Sequence, residues 1–332
     1  MPSSDVTLVV HPAGRDEDLR LALEDLQADR WLAMRDLLLK TGSDWALRTS
    51  RSQVLAVAAA RGSAVEAWLA EEPGNADALM MWARVLTQRA LNAWGDAKAV
   101  GELLPAIRAA HRACQEASRY LPYDPVPHVC WLALAPLYAD GTLPSRPEYF
   151  ADPPEGGLPR GPWPVWRAVL EQDPENREAH HRMLAYFRAR GRGANEFAQW
   201  AATWAGAGSV LLTLPLYAFA ETYRIERDRG NTVTKPGFWC REHIRGYAQR
   251  ALYGWFWQVN PATCALLDLN HLAYALTASG EGGAGPVFEA IGPYAMPAPW
   301  KQGREYGFDP DGWPEDFLRA RDYALAKGSW GR

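Results

Sequence analysis

The chain carries almost no strand signal. Alternating β-branched runs are missing beyond a short TLVV at 7–10, and without period-two patterning a sheet has no face to bury. Four cysteines, Cys114, Cys130, Cys240 and Cys264, form no C-x-x-C pair and sit in apolar helical contexts. That argues against a disulfide framework or a thiolate zinc site and predicts buried, reduced thiols. No apolar run is long enough for a membrane span, and the opening MPSSDVTLVVHPAGRDEDL lacks the basic flank and apolar core of a signal peptide. An excess of one charge is also missing: 35 basic against 39 acidic residues leave −4, which points away from nucleic acid and anionic membranes as partners. A cytoplasmic location is the expectation.

What is present is helical. In 332 residues, 48% are hydrophobic and 22% charged, a globular balance. Tryptophan is abundant, at 16 residues; each brings a large apolar area and one N–H donor, suited to thick helix packing or to an aromatic-lined groove. The Ala-, Arg- and Trp-rich composition resembles that of high-GC bacterial genomes, and a bacterial source is the expectation. Periodicity of about 3.6 predicts helices over 16–28, 30–40, 44–60, 63–71, 76–94, 97–119, 126–139, 163–172, 176–190, 194–205, 211–228, 238–258, 262–279 and 314–327. A Pro/Gly-rich loop interrupts them at 141–164, and an irregular, aromatic-rich stretch follows at 280–314, with Trp300 and Trp313 expected to anchor it back onto the preceding helices. Loops this long in a compact protein are often functional.

Four segments share a pattern. EEPGNADALMMWARVL, PYDPVPHVCWLALAPLYADG, QDPENREAHHRMLAYFRARG and QVNPATCALLDLNHLAYALTASG open at Pro73, Pro125, Pro174 and Pro261. Each then places a large residue before Ala, at Trp82-Ala83, Leu134-Ala135, Leu184-Ala185 and Leu272-Ala273. Proline suits a helix start, where its missing N–H costs nothing. The large–Ala pair lets two helices approach closely. Over 63–280 this pattern resembles the tetratricopeptide-type helical hairpin. The pairs are spaced by 52, 50 and 88 residues and depart from that family's 34-residue period, although Phe219-Ala220 lies 35 after Leu184-Ala185. The resemblance implies a stack of helix pairs cradling a peptide or protein segment in a concave groove.

The chemistry-bearing candidates are two carboxylate–histidine pairs at i, i+3. Glu178 and His181 lie in REAHHRM, and Asp268 and His271 in DLNHLAYAL, with Glu221 on a helix between them. This is the spacing used by dimetal carboxylate sites in helical bundles. At about 100° per residue, however, Ala179, Met183, Leu184 and Phe187 form an apolar arc that contains His180. His181 falls at its edge and Glu178 points away. In the later helix Asp268 and His271 fall opposite Leu266, Leu269, Ala273 and Leu276. A core metal site needs them inward, so these residues are expected to line a solvent- or groove-facing wall, with Trp131 as an aromatic candidate. No G-x-S-x-G, H-E-x-x-H or phosphate-cradling loop occurs.

These features predict an all-α protein: an irregular, tetratricopeptide-like helical-hairpin solenoid with capping helices in 1–62, a repeat body over 63–280, and a wrapped C-terminal tail over 281–332. The expected function is a scaffold that binds a partner protein or peptide without a cofactor. The alternative is an enzyme or small-ligand binder, metal-dependent in one form, with an aromatic-walled pocket carrying the same carboxylates and histidines.

Overall fold

The computed structural model describes residues 6–96, 100–231, 233–301 and 311–328. Among them there is no strand; the sole β-type contact is an isolated antiparallel bridge between Ala151 and Gly161. No described helix is long and apolar enough to cross a membrane. The chain divides into two compact units, one formed by Arg15–Phe197 and the other by the described parts of 1–14 and 198–332.

In the first unit the helices are α1 (Glu17–Gln27), α2 (Leu32–Thr41), α3 (Trp45–Ala59), α4 (Ala64–Glu71), α5 (Ala76–Asp96), α6 (Val100–Tyr120), α7 (Val126–Ala133), α8 (Trp163–Leu170) and α9 (Arg177–Ala189). Their starts are built by side-chain caps. Asp16, Asp44 and Asn176 accept from Leu19, Leu47 and Ala179 N–H at 3.0, 3.1 and 2.8 Å, each satisfying an otherwise orphaned donor. α5 and α6 make the most extensive helix contact. The expected helix over 126–139 stops at 133 and gives way to a 3-10 turn, Ala135–Tyr138, because Pro136 has no N–H to continue it. The N-terminal helices are integral to this unit: Arg51 of α3 holds both carboxylate oxygens of the α1 cap Asp16 at 2.7 and 3.0 Å.

The second unit takes in most of α10 (Ala194–Trp204), then α11 (Leu214–Asp228), α12 (Lys235–Trp239), α13 (Glu242–Gly254), α14 (Leu266–Ser279), α15 (Ala284–Ile291), α16 (Pro297–Trp300) and α17 (Trp313–Gly328). Two predicted helices are shortened. The one over 238–258 divides where Arg241 is extended (ψ 134°), and the one over 262–279 starts only after Ala265 (ψ 130°). The stretch 280–314 is less irregular than expected, since it contains α15 and α16. At the centre lies α14, where every residue from Asp268 to Leu276 is buried. A helix buried on all sides needs apolar residues all round, and α14 instead carries Asp268, Asn270 and His271, each answered by a polar partner.

The tail is tied to α14. The Trp300 indole N–H donates to Asn270 Oδ1 at 3.0 Å, and its ring lies 5.2 Å from Tyr274 and 5.3 Å from Phe317. At ~25 cal/mol per Å² over ~150 Å² or more, burying such a ring stabilises by roughly 4 kcal/mol. Trp313 is buried too. Residues 302–310 of the expected wrapped tail lie outside the described residues.

Candidate functional site

Glu178, Asp268 and His271 are buried and do not face solvent as expected of them. Glu178 is buried on α9. Its Oε1 and Oε2 accept from Arg84 Nη1 and Nη2 at 2.8 and 2.7 Å, and Oε1 also accepts from Arg182 Nη2 at 2.8 Å. Burial opposes its charge, but the Arg84 and Arg182 guanidiniums overcome that and hold the carboxyl below its ordinary range. Arg84 completes its bonding on Ser52 Oγ and Thr49 O at 3.2 and 3.1 Å. Nearby, Arg48 joins Asp77 and Asp124, the latter at 2.6 Å. These pairs knit α3, α5, α9 and the approach to α7. His181 is half-buried on the same helix.

Asp268 and His271 belong to the other unit and are likewise buried. The Tyr217 hydroxyl of α11 donates to Asp268 Oδ1 at 2.5 Å. The Tyr217 and His271 rings stack with centroids 3.5 Å apart, and His271 Nδ1 lies 3.0 Å from Leu267 O, an oxygen that can only accept. Glu221 is bound by Arg224 one turn on, at 2.7 and 3.1 Å. Glu178's oxygens are thus committed to guanidiniums, and Asp268 Oδ1 to a phenol. Among the described residues no three His, Cys, Asp or Glu side chains lie close enough together to hold a metal ion.

His180 occupies the core, as its helical phase indicates. Its ring packs edge-on to Trp166 at 5.5 Å and Nδ1 meets Asn176 O at 2.8 Å; burial pushes its pKa down to about 4. His111 behaves alike: burial, then Arg146, lower it to about 4, and Nε2 lies 2.8 Å from the Tyr149 hydroxyl. Trp131 is half-buried, edge-on to His111 at 6.2 Å, and its indole N–H has no hydrogen-bond partner. Cys114 and Cys130 are buried as predicted, but Cys240 is exposed and Cys264 half-buried. Trp204 and Trp257 are 70% and 51% exposed.

A concave feature lies elsewhere in the first unit. The loop after α7 is fastened at its base: Ala151 and Gly161 exchange two backbone hydrogen bonds, both at 3.0 Å. Tyr149 is fully buried beside them, with its carbonyl accepting from the Tyr186 hydroxyl at 2.9 Å. Trp163 Nε1 donates to Pro159 O at 3.0 Å, and Arg160 crosses the loop to Asp152 at 2.7 Å. The tip, 152–160, is closed at both ends in the manner of an Ω-loop. It faces the end of α9 and the start of α10, and borders an open cleft of about 640 Å³ lined by Phe150, Leu158 and Pro159 and by Arg160, Arg190, Arg192 and Glu196. Gly193 makes the close approach possible. Its φ is +91°, and a Cβ there would sit 2.6 Å from Pro159 Cγ.

Arg190 is held in place before any ligand arrives. Its Nη1 donates to the Tyr186 hydroxyl and to Arg160 O at 3.2 and 3.3 Å, and its guanidinium lies over the Phe150 and Tyr186 rings at 5.5 and 5.9 Å. Sequence reasoning flagged the 141–164 loop but not these arginines; the signal for them is the run RARGRG at 188–193, where charge and turn glycines coincide.

Compared with known proteins, the chain matches no family model, no curated sequence and no solved structure.

Proposed function

We propose that this protein is a helical-repeat scaffold, working in the cytoplasm, that binds a segment of a partner polypeptide in the cleft between the 152–160 loop, the end of α9 and the start of α10. The tetratricopeptide-like recurrence of proline starts and large–Ala pairs supports a binding scaffold. The observation that carries the reading is the fastened loop, which presents a pre-formed wall of Leu158 and Pro159 opposite Arg190 and Arg192. Preorganised walls of this kind reduce the ordering cost of binding. The committed partners of Glu178, Asp268 and Glu221 argue for structural roles in place of catalytic ones.

A photoreactive amino acid at Leu158, with one at the exposed Leu39 of α2 as control, tests it in cells of the source organism. Recovery of one polypeptide crosslinked at 158 and not at 39 is the expected result. Equal capture at both positions, or none at 158, contradicts it. The cleft's volume lies in the range of small-ligand sites, about 300–1,000 Å³, and this favours the second reading, a small-molecule binder; absence of any crosslinked polypeptide, with native mass spectrometry showing a bound small molecule, selects it.

A further inference from the structure

Resting on that reading, the geometry points to a specific chemistry for the bound segment: we infer that the cleft selects a carboxylate side chain, Glu or Asp, carried next to an apolar residue of the partner. The chain as a whole is acidic, at −4, yet Arg160, Arg190 and Arg192 gather on one cleft. Arg160 is already neutralised by Asp152. Arg190 and Arg192 have no carboxylate partner among the described residues. The buried arginines of this unit are answered by acid: Arg48 by Asp77 and Asp124, Arg51 by Asp16, and Arg84 by Glu178. Arg190 and Arg192 line the same concavity.

Arg190 has the form of a prepared receptor. Both Nη1 hydrogens are spent on Tyr186 and on the Arg160 carbonyl, and the guanidinium carbon lies 5.5 and 5.9 Å from the Phe150 and Tyr186 ring centroids. Nε and Nη2 remain to donate, a planar edge that matches the two oxygens of a carboxylate. Arg192 is exposed beside it. The first turn of α10, entered through Gly193, brings the positive end of that helix to the same wall.

Charge balance favours carboxylate over phosphate. Glu196, the acidic lining residue, offsets one of the two unpaired arginines. A single positive charge is left, which a monoanion neutralises and a phosphoryl dianion would overshoot. Phe150, Leu158 and Pro159 supply apolar surface next to the arginines, and this calls for an apolar neighbour on the ligand; a nucleic-acid backbone has none to offer there.

The test uses the full chain and three sets of fluorescein-labelled, end-capped hexapeptides. They carry a central Glu-Leu, Gln-Leu or phosphoserine-Leu, with uncharged residues randomised elsewhere, and binding is read by fluorescence anisotropy. Amidated ends exclude a terminal carboxylate as the source. The Glu-Leu set is expected to bind, with the Gln-Leu set weaker by about tenfold or more, the effect of one charge-assisted hydrogen bond. Arg192→Ala, at an exposed position that leaves the fold intact, and Arg190→Ala are each expected to bring Glu-Leu down toward Gln-Leu. Equal binding of Glu-Leu and Gln-Leu overturns the carboxylate inference while leaving the polypeptide reading standing. Tighter binding of phosphoserine-Leu overturns it in favour of a phosphoryl site. Binding of none of the sets overturns both.

Discussion

Arg84 and Glu178, 94 residues apart in sequence, form a two-pronged ion pair with N–O distances of 2.8 and 2.7 Å at side chains only 4% and 5% exposed. Breaking such a pair strands a buried charge, whereas replacing both members with apolar side chains removes the desolvation cost along with the attraction. Glu178→Ala is therefore expected to destabilise the first unit by about 3–5 kcal/mol, read as a lower urea midpoint. The double replacement Arg84→Met, Glu178→Leu is expected to recover most of that loss. A double variant no better than the single would mean that the Arg84 bonds to Thr49 and Ser52 dominate.

The buried histidines give a pH dependence of known sign. His111 and His180 have folded pKa values of about 4, below the ordinary ~6.5 of an unfolded chain. Between pH 6.5 and 4 the unfolded state binds more protons, so stability falls as pH drops through that window and is unaffected above it. Each histidine is expected to cost roughly 2 kcal/mol on going from pH 7 to pH 5. In His180→Phe, urea midpoints at the two pH values should lie closer together than in the parent; an unchanged gap would count against a buried neutral His180.

Much of this architecture was legible from periodicity alone, and the failures have physical causes. Helical phase placed His180 in the core correctly because α9 presents one dominant apolar arc. The same reasoning sent Asp268 and His271 outward, on the premise that a helix has one wet side; α14 has none, being buried from Asp268 to Leu276. Glu178 does lie off the apolar arc, but Arg84 of α5 covers that face, and no local pattern announces a partner 94 residues away. The cleft depends on the fold of the 141–164 loop, which is set by the Ala151–Gly161 bridge and by Tyr186, contacts that composition does not encode.

Gly193→Ala tests the close approach of loop and helix. The left-handed φ alone costs about 1–2 kcal/mol in a residue with a Cβ, and the new Cβ would press on Pro159 and Phe187. The variant is expected to be less stable and to be cut faster by protease within 152–160. An unchanged cleavage rate would show that Pro159 is not held against Gly193.

The Tyr217–Asp268 hydrogen bond, buried at 2.5 Å, is expected to contribute about 0.5–1.5 kcal/mol, the net range for an intramolecular hydrogen bond. Tyr217→Phe should lower the urea midpoint of the second unit accordingly, with the His271 stack retained. A change within 0.5 kcal/mol would remove the phenol from the account of that core.

Thiol reactivity should separate the cysteines by burial. Exposed Cys240 is expected to react first with an aromatic disulfide reagent, Cys264 next, and the buried pair Cys114 and Cys130 only on unfolding. Burial, together with neighbouring Cys130, pushes the Cys114 thiol further up. Rapid reaction at all four positions in the native protein would contradict the packing around α6 and α7.

The most direct measurement of the binding account is hydrogen–deuterium exchange along the whole chain, with and without a saturating Glu-Leu hexapeptide. The account predicts slowed exchange in 152–160 and 190–196 and no change elsewhere. Slowing confined to the exposed aromatics around Trp204, Tyr253 and Trp257, with the loop and the start of α10 unaffected, would contradict it and move the binding surface to the other unit.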